Sequence, residues 1–273
     1  MSVKNTFTIG AALLIIYGCT HNPLFDDKPI TVGKITGNVM LDTGDNPKSN
    51  VFVWLAGFDI GTVTDTNGDF RLNLPSESGQ GAGEGYSGEY SLYFYTENCI
   101  LDSLIIVFAN GIFVGDQAII NNDGSLKSPI VLKQLFTLES TIVGPNTLRS
   151  VLTSNEDVRF LCLKNTVNHV VHYTGFFVYN SDSTLIKAYK SSGFVTQPEL
   201  IVHDSSFIMD IYFNPLTLGL PQGTYSVVPY VCLLRTQHLP AGLIDHFSEE
   251  AWEFHSAFLR LPFLRTDAVL TVE

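Results

Sequence analysis

From Thr31 to the C-terminus the chain runs in short stretches rich in β-branched and aromatic residues, closed by clusters of Gly, Asn, Asp, Ser and Pro. Such stretches send alternate side chains to opposite faces, and the turn residues reverse the backbone before a helical period develops. TVGKITGNVML is followed by DTGDNPKSN and then VFVWLAG, and IGTVT leads through Asp65–Asp69 into DFRLNLP. In VFVWL, Val51, Val53 and Leu55 fall on one face and Phe52 and Trp54 on the other. Phe70, Leu72 and Leu74 likewise share a face. The expected class is all-β, arranged as two tandem β-sandwich domains.

Composition narrows the function. Hydrophobic residues make up 45% of the 273 and charged residues 15%, too apolar for a disordered chain. A formal net charge of −12 repels phosphate backbones, so a nucleic-acid partner is excluded. No run of 18 or more uncharged apolar residues is present, so no membrane-spanning helix is expected.

The N-terminus is read as an address. Lys4 precedes an apolar run from Phe7 to Tyr17, too short to span a bilayer, which ends at Ile16-Tyr17-Gly18-Cys19. Gly18 before Cys19, with Ile16 at the aliphatic position, resembles a bacterial lipoprotein signal; Tyr17 is bulkier than usual there. The resemblance implies removal of residues 1–18 and transfer of a diacylglyceryl group to the Cys19 thiolate. Acyl chains at Cys19 would then tether the protein to the outer membrane, on its periplasmic or its surface face, through residues 19–30. An ordinary secretory signal with a cysteine near its end is the other reading.

Residues 31–136 form the first expected domain. The hairpin Thr64-Asp65-Thr66-Asn67-Gly68-Asp69-Phe70, with the strands on either side of it, resembles the carboxypeptidase regulatory-like domain, a transthyretin-like sandwich. That family implies a module that supports or presents other domains and carries no catalytic residues. Asp65, Asn67 and Asp69 lack the glycine and glutamate spacing of a calcium loop, and a hairpin turn is expected there. SESGQGAGEGYSG, residues 76–88, is read as a flexible Gly-rich loop. In the strand after it Tyr93 and Tyr95 share one face and Leu92 and Phe94 the other. Tyr86, Tyr93 and Tyr95 are the candidate ligand platform, stacking on a sugar or a protein if exposed. If they cap the core instead, they bind nothing.

Residues 137–146, with Gly144-Pro145, are expected as a linker to a second domain over 147–273. Ser206-Phe207 ahead of an alternating strand, and Leu220-Pro221-Gln222-Gly223-Thr224-Tyr225 opening another, resemble the immunoglobulin-like sandwich of bacterial intracellular proteinase inhibitors. Ser248 followed by Glu249 and Glu250 predicts an N-cap and a short helix over about 248–257.

Beyond Cys19 the chain has Cys99, Cys162 and Cys232. Cys162 and Cys232 lie in apolar, strand-like runs, and a sandwich that brings the two runs face to face would allow a disulfide between them. Equally, all three are small buried hydrophobes. No CxxC, GxSxG or HExxH occurs. His169 and His172 are three apart, which in a strand puts them on opposite faces. His246, Glu250, Glu253 and His255 are read as a solvated face rather than a metal site. Only a cleft gathering His203, Asp204, Asp245 and His246 would revive a hydrolase. The expected protein is therefore not an enzyme and needs neither cofactor nor metal. It is a lipid-anchored envelope module that binds or scaffolds through sandwich-end loops, its partner an envelope protein or a glycan. A carbohydrate-binding accessory lipoprotein and a proteinase inhibitor are the alternatives.

Overall fold

The computed structural model describes residues 33–44, 49–75, 86–114, 119–154, 156–168, 170–190, 200–202 and 205–273. The expected signal, Cys19 and most of the Gly-rich loop lie outside the described residues, as do His169, His203 and Asp204.

The first half contains β1 (Lys34–Leu41), β2 (Phe52–Leu55), β3 (Ile60–Val63) and β4 (Asp69–Asn73). It continues with β5 (Gly88–Tyr95), β6 (Asp102–Ala109), β7 (Ile112–Phe113) and β8 (Ile130–Leu132). One sheet has the order β4-β1-β8, with β8 parallel to β1; the other is antiparallel, in the order β3-β2-β5-β6-β7. Between them lie Ile35, Val53, Leu55, Phe70, Leu92 and Phe94. The Asp65 turn is held by its own carboxylate: Oδ1 accepts from Asn67 N at 2.8 Å and Asp69 N at 3.0 Å. Gly68 supplies the left-handed backbone there, at φ 78°. The carboxylate is thus spent on backbone donors, as a hairpin turn requires.

The second half contains β9 (Phe136–Val143), β10 (Thr147–Ser154), β11 (Val158–Cys162), β12 (Lys164–Val167) and β13 (Val170–Tyr173). Then come β14 (Gly175–Tyr179), β15 (Leu185–Lys190), β16 (Leu200–Val202), β17 (Ser206–Tyr212) and a short helix α1 (Pro215–Leu218). Last are β18 (Gly223–Pro229), β19 (Val231–Leu233), α2 (Ala241–Phe247) and β20 (Ala268–Val272). The sheets run β12-β13-β17-β10-β9, β16-β11-β19 and β15-β14-β18-β20. Tyr225, opening β18, donates its hydroxyl to Pro221 O at 2.8 Å and pins that corner.

Two expectations are corrected here. Residues 137–143 are not linker but strand β9, paired with β10 along its whole length, with Gly144 at φ 61° in the turn. The Gly-Pro signal marks a hairpin, because a turn between paired strands needs the same residues as a linker. The helix is also misplaced. α2 starts after Pro240 and ends at Ser248, whose φ of 68° breaks it and whose side chain caps nothing. Glu249 and Glu250 open a single 3-10 turn, Glu249–Trp252, and a second one covers Ser256–Arg260.

Residues Gly33–Glu273 form one compact unit. The reason lies in β2 and β5, which are apolar on both faces. Val53, Leu55, Leu92 and Phe94 fill the first sandwich, while Phe52, Trp54 and Tyr95 join the core of the second. Burying one such side chain stabilises by about 1.5–3 kcal/mol, so the outer face of the first sandwich serves as a wall of the second core.

Candidate functional site

The seam between the two sandwiches carries the densest polar chemistry among the described residues. Tyr95 ends β5, and Thr96–Cys99 follow as a buried polar segment. Glu97 is fully buried. Its Oε1 accepts from Leu233 N at 3.0 Å, and its Oε2 from Tyr95 Oη at 2.5 Å and Trp252 Nε1 at 3.3 Å. Arg235 Nη2 lies 3.6 Å from the same carboxylate. Its guanidinium also donates to the carbonyls of Thr96 (2.9 Å), Glu97 (2.6 Å) and Cys99 (2.8 Å), and sits 5.0 Å from the centre of the Tyr95 ring. A buried charge survives only when paired and hydrogen-bonded like this.

The local reason for this arrangement is an edge. In the pairing of β11 with β19, Leu234 N donates to Arg159 O, so Leu233 N must point the other way, off the sheet. The Glu97 carboxylate meets it there and stands in for a missing strand. Gln237 does the same for Leu101, accepting from its N and donating to its O, both at 2.9 Å. Asn98 bridges Phe136 O and Leu264 O with its Nδ2 and takes Leu264 N with its Oδ1. Side chains thus supply the ladder that two unrelated sheets cannot form directly.

Leu233–Gln237 is a common wall of two cavities. The larger, about 490 Å³, also has Leu161, Leu239, Ile244 and Trp252 in its lining; the smaller, about 260 Å³, has Ile100, Glu156 and Arg159. Their walls mix apolar side chains with hydrogen-bonding groups, the make-up of a binding cleft. Asp157, Arg159, His238 and Glu249 line these cavities from their exposed side, whereas Cys99, Cys232 and Tyr95 face inward. Burial pushes the Cys99 thiol up to about 12 and raises Cys232 and Tyr95 well above their ordinary values. Such thiols are neutral at physiological pH and poor nucleophiles.

The sequence-expected residues fare unevenly. Tyr93 and Tyr95 do share a face, opposite Leu92 and Phe94, but that face is covered. Tyr95 is 0% exposed, Tyr86 is 7% exposed within the first core, and Tyr93 is half-buried against Trp54 at 5.6 Å. The three form no exposed platform, because Tyr86 packs inside the first core and the second sandwich packs over Tyr93 and Tyr95. Cys162 and Cys232 are free thiols. They lie on adjacent antiparallel strands one residue out of register, Cys162 opposite Val231 and Cys232 opposite Leu161, which sends their side chains to opposite faces. His255 Nδ1 lies 3.4 Å from Glu250, and His246 stacks on Phe52 at 4.5 Å. Among the described residues no three His, Cys, Asp or Glu side chains converge on a metal position.

Glu97, Arg235 and Gln237 escaped sequence reasoning. The available signal was TENC, a polar break between two apolar strands, with an isolated arginine in LLRTQ; nothing local ties one to the other.

The chain matches no protein-family model and no curated protein. Among solved structures it is similar to a DUF3823 family protein from Bacteroides ovatus, at 11% identity over 71% of this chain and 87% of that one, with a TM-score of 0.28. It is also similar to BcpA, the major pilin subunit of Bacillus cereus, at 17% identity over 71% of this chain and 63% of that one, with a TM-score of 0.25. Likeness at this level says nothing about function. The all-β sandwich fold stands on the structure itself.

Proposed function

We propose that this protein is a non-catalytic envelope module, lipid-anchored at Cys19, that binds or scaffolds a partner protein at the cleft beside Leu233–Gln237. On this view the first sandwich is a carboxypeptidase regulatory-like support and the second an immunoglobulin-like presenter, set rigidly by the seam. One observation carries the reading: Glu97 and Arg235 at the seam are consumed by internal hydrogen bonds, while the cleft wall beside them stays open and sets Leu234, Ile244 and Trp252 among the polar Thr236, His238 and Glu249. Leu234 stands in that wall at 36% exposure. An extended segment with an apolar side chain suits it. A glycan would need exposed aromatic faces, and Tyr86, Tyr93 and Tyr95 do not offer them.

The test is cross-linking in intact cells followed by affinity recovery of the tagged, lipidated chain. A partner recovered in near-equal amount supports a scaffold. Recovery of the bait alone at native expression overturns it.

A further inference from the structure

The outward face of the sheet β3-β2-β5-β6-β7 is covered only in part. Phe52, Trp54 and Tyr95 meet the second sandwich, but the same face continues onto β6 and β7, where side chains among the described residues stand exposed. There Ile105 is 56% exposed, Ile112 64% and Val114 53%, with half-buried Val107 between them. Phe113 points the other way and packs against Phe108, ring centres 4.7 Å apart, which fixes Ile112 and Val114 as outward. Val114 N donates to Val107 O at 3.0 Å, so the exposed pair sits on an ordered edge hairpin. A flat apolar edge in water invites association unless something covers it.

The described chain enters the fold close to this edge. The Tyr86 hydroxyl crowds Gly33, within 3.0 Å of where a Cβ would stand. Tyr86 O in turn accepts from Gly111 N, in the β6–β7 turn, at 2.9 Å. The Lys34 carbonyl and the Phe113 ring both press on Gly124. The described chain therefore begins beside this hairpin. Cys19 precedes Gly33 by 14 residues, a tether that reaches at most about 50 Å when fully extended.

We infer that Ile105, Ile112 and Val114 form a membrane-contact edge that dips into the interface of the bilayer holding the lipid at Cys19. This rests on the proposed lipid anchor. Branched aliphatic side chains on a rigid hairpin gain transfer free energy at the headgroup–acyl boundary, and the acyl anchor keeps the edge within reach of that boundary. The hairpin would set the orientation of the molecule, turning a one-point anchor into a two-point attachment.

The experiment uses the full lipidated chain in phosphatidylethanolamine–phosphatidylglycerol vesicles, with the fluorophore NBD on Ile112→Cys, Val114→Cys or, as a control on the second sandwich, Ile186→Cys. The native thiols beyond Cys19 are buried, so only the introduced one is labelled. A blue shift and quenching by doxyl lipids at 112 and 114, absent at 186, is the expected result. Equal quenching at all three positions, or none at 112 and 114, overturns the membrane edge. A blue shift without vesicles as the unlipidated Cys19→Ser protein is concentrated means that a second copy covers the edge, and also overturns it. Incorporation of alkynyl palmitate, lost in Cys19→Ser, tests the anchor separately. No incorporation overturns both.

Discussion

The indole of Trp54 in the first sandwich occupies the space that a side chain on Gly242, in α2 of the second, would need: a Cβ there would stand 2.7 Å from the ring. Gly242 in a helix costs roughly 1 kcal/mol against alanine. Here it admits an aromatic ring from a strand nearly two hundred residues away. Gly242→Val should therefore push the sandwiches apart and destabilise by about 1–3 kcal/mol, the usual cost of overpacking. Urea unfolding checks this, and a shift in tryptophan emission before the main transition would locate the damage at the seam.

Removing Glu97 should be worse. Glu97→Ala leaves Arg235 short of its counter-ion, and Leu233 N, the Tyr95 hydroxyl and the Trp252 indole without acceptors. Breaking a buried pair from one side costs about 3–5 kcal/mol. Glu97→Gln keeps an acceptor for Leu233 N and should lose less. In both variants the two halves should unfold in one transition, because they share a core; two separated transitions would mean the seam is not structural.

Stability should fall at alkaline pH. Burial pushes Cys99 up to about 12 and Cys162 up to about 11, from an ordinary 9.0. Between pH 9 and 11 the unfolded thiols ionise while the folded ones hold their protons, so the unfolded state gains. Each thiol contributes a slope that rises toward at most about 1.4 kcal/mol per pH unit within that window. The urea midpoint measured at pH 7 and at pH 10.5 gives the sign, and substituting Cys99 by alanine should flatten the slope.

No disulfide should form on exposure to air. In a Cys19→Ser background a maleimide should leave Cys99, Cys162 and Cys232 unmodified in the native protein and add to all three in urea. A two-dalton loss by mass spectrometry, with one thiol titrating, would contradict the register of β11 and β19.

Much of this was legible in the chain and some was not, for definable physical reasons. The alternation in VFVWL assigned both faces of β2 correctly, and Asn67-Gly68 marked the turn between β3 and β4, since period-two patterning and left-handed glycine are local properties. What covers the outer face is not local: the partners of Phe52, Trp54 and Tyr95 lie in α2 and the segments that follow it. Tyr93 and Tyr95 therefore passed for a platform. Strand β9 passed for a linker because Gly144-Pro145 suits either. The cysteine register depended on a pairing between residues 158–162 and 231–233, which no spacing in the sequence encodes.

The most direct test places a photo-cross-linking amino acid at Leu234, at Thr236 and, as a control on another sheet, at Ile208, in the full chain in intact cells. A partner docked in the cleft gives one discrete adduct from 234 and 236 and none from 208. No adduct at 234 and 236, or the same adducts at all three positions, would contradict the assignment of this cleft as the binding surface.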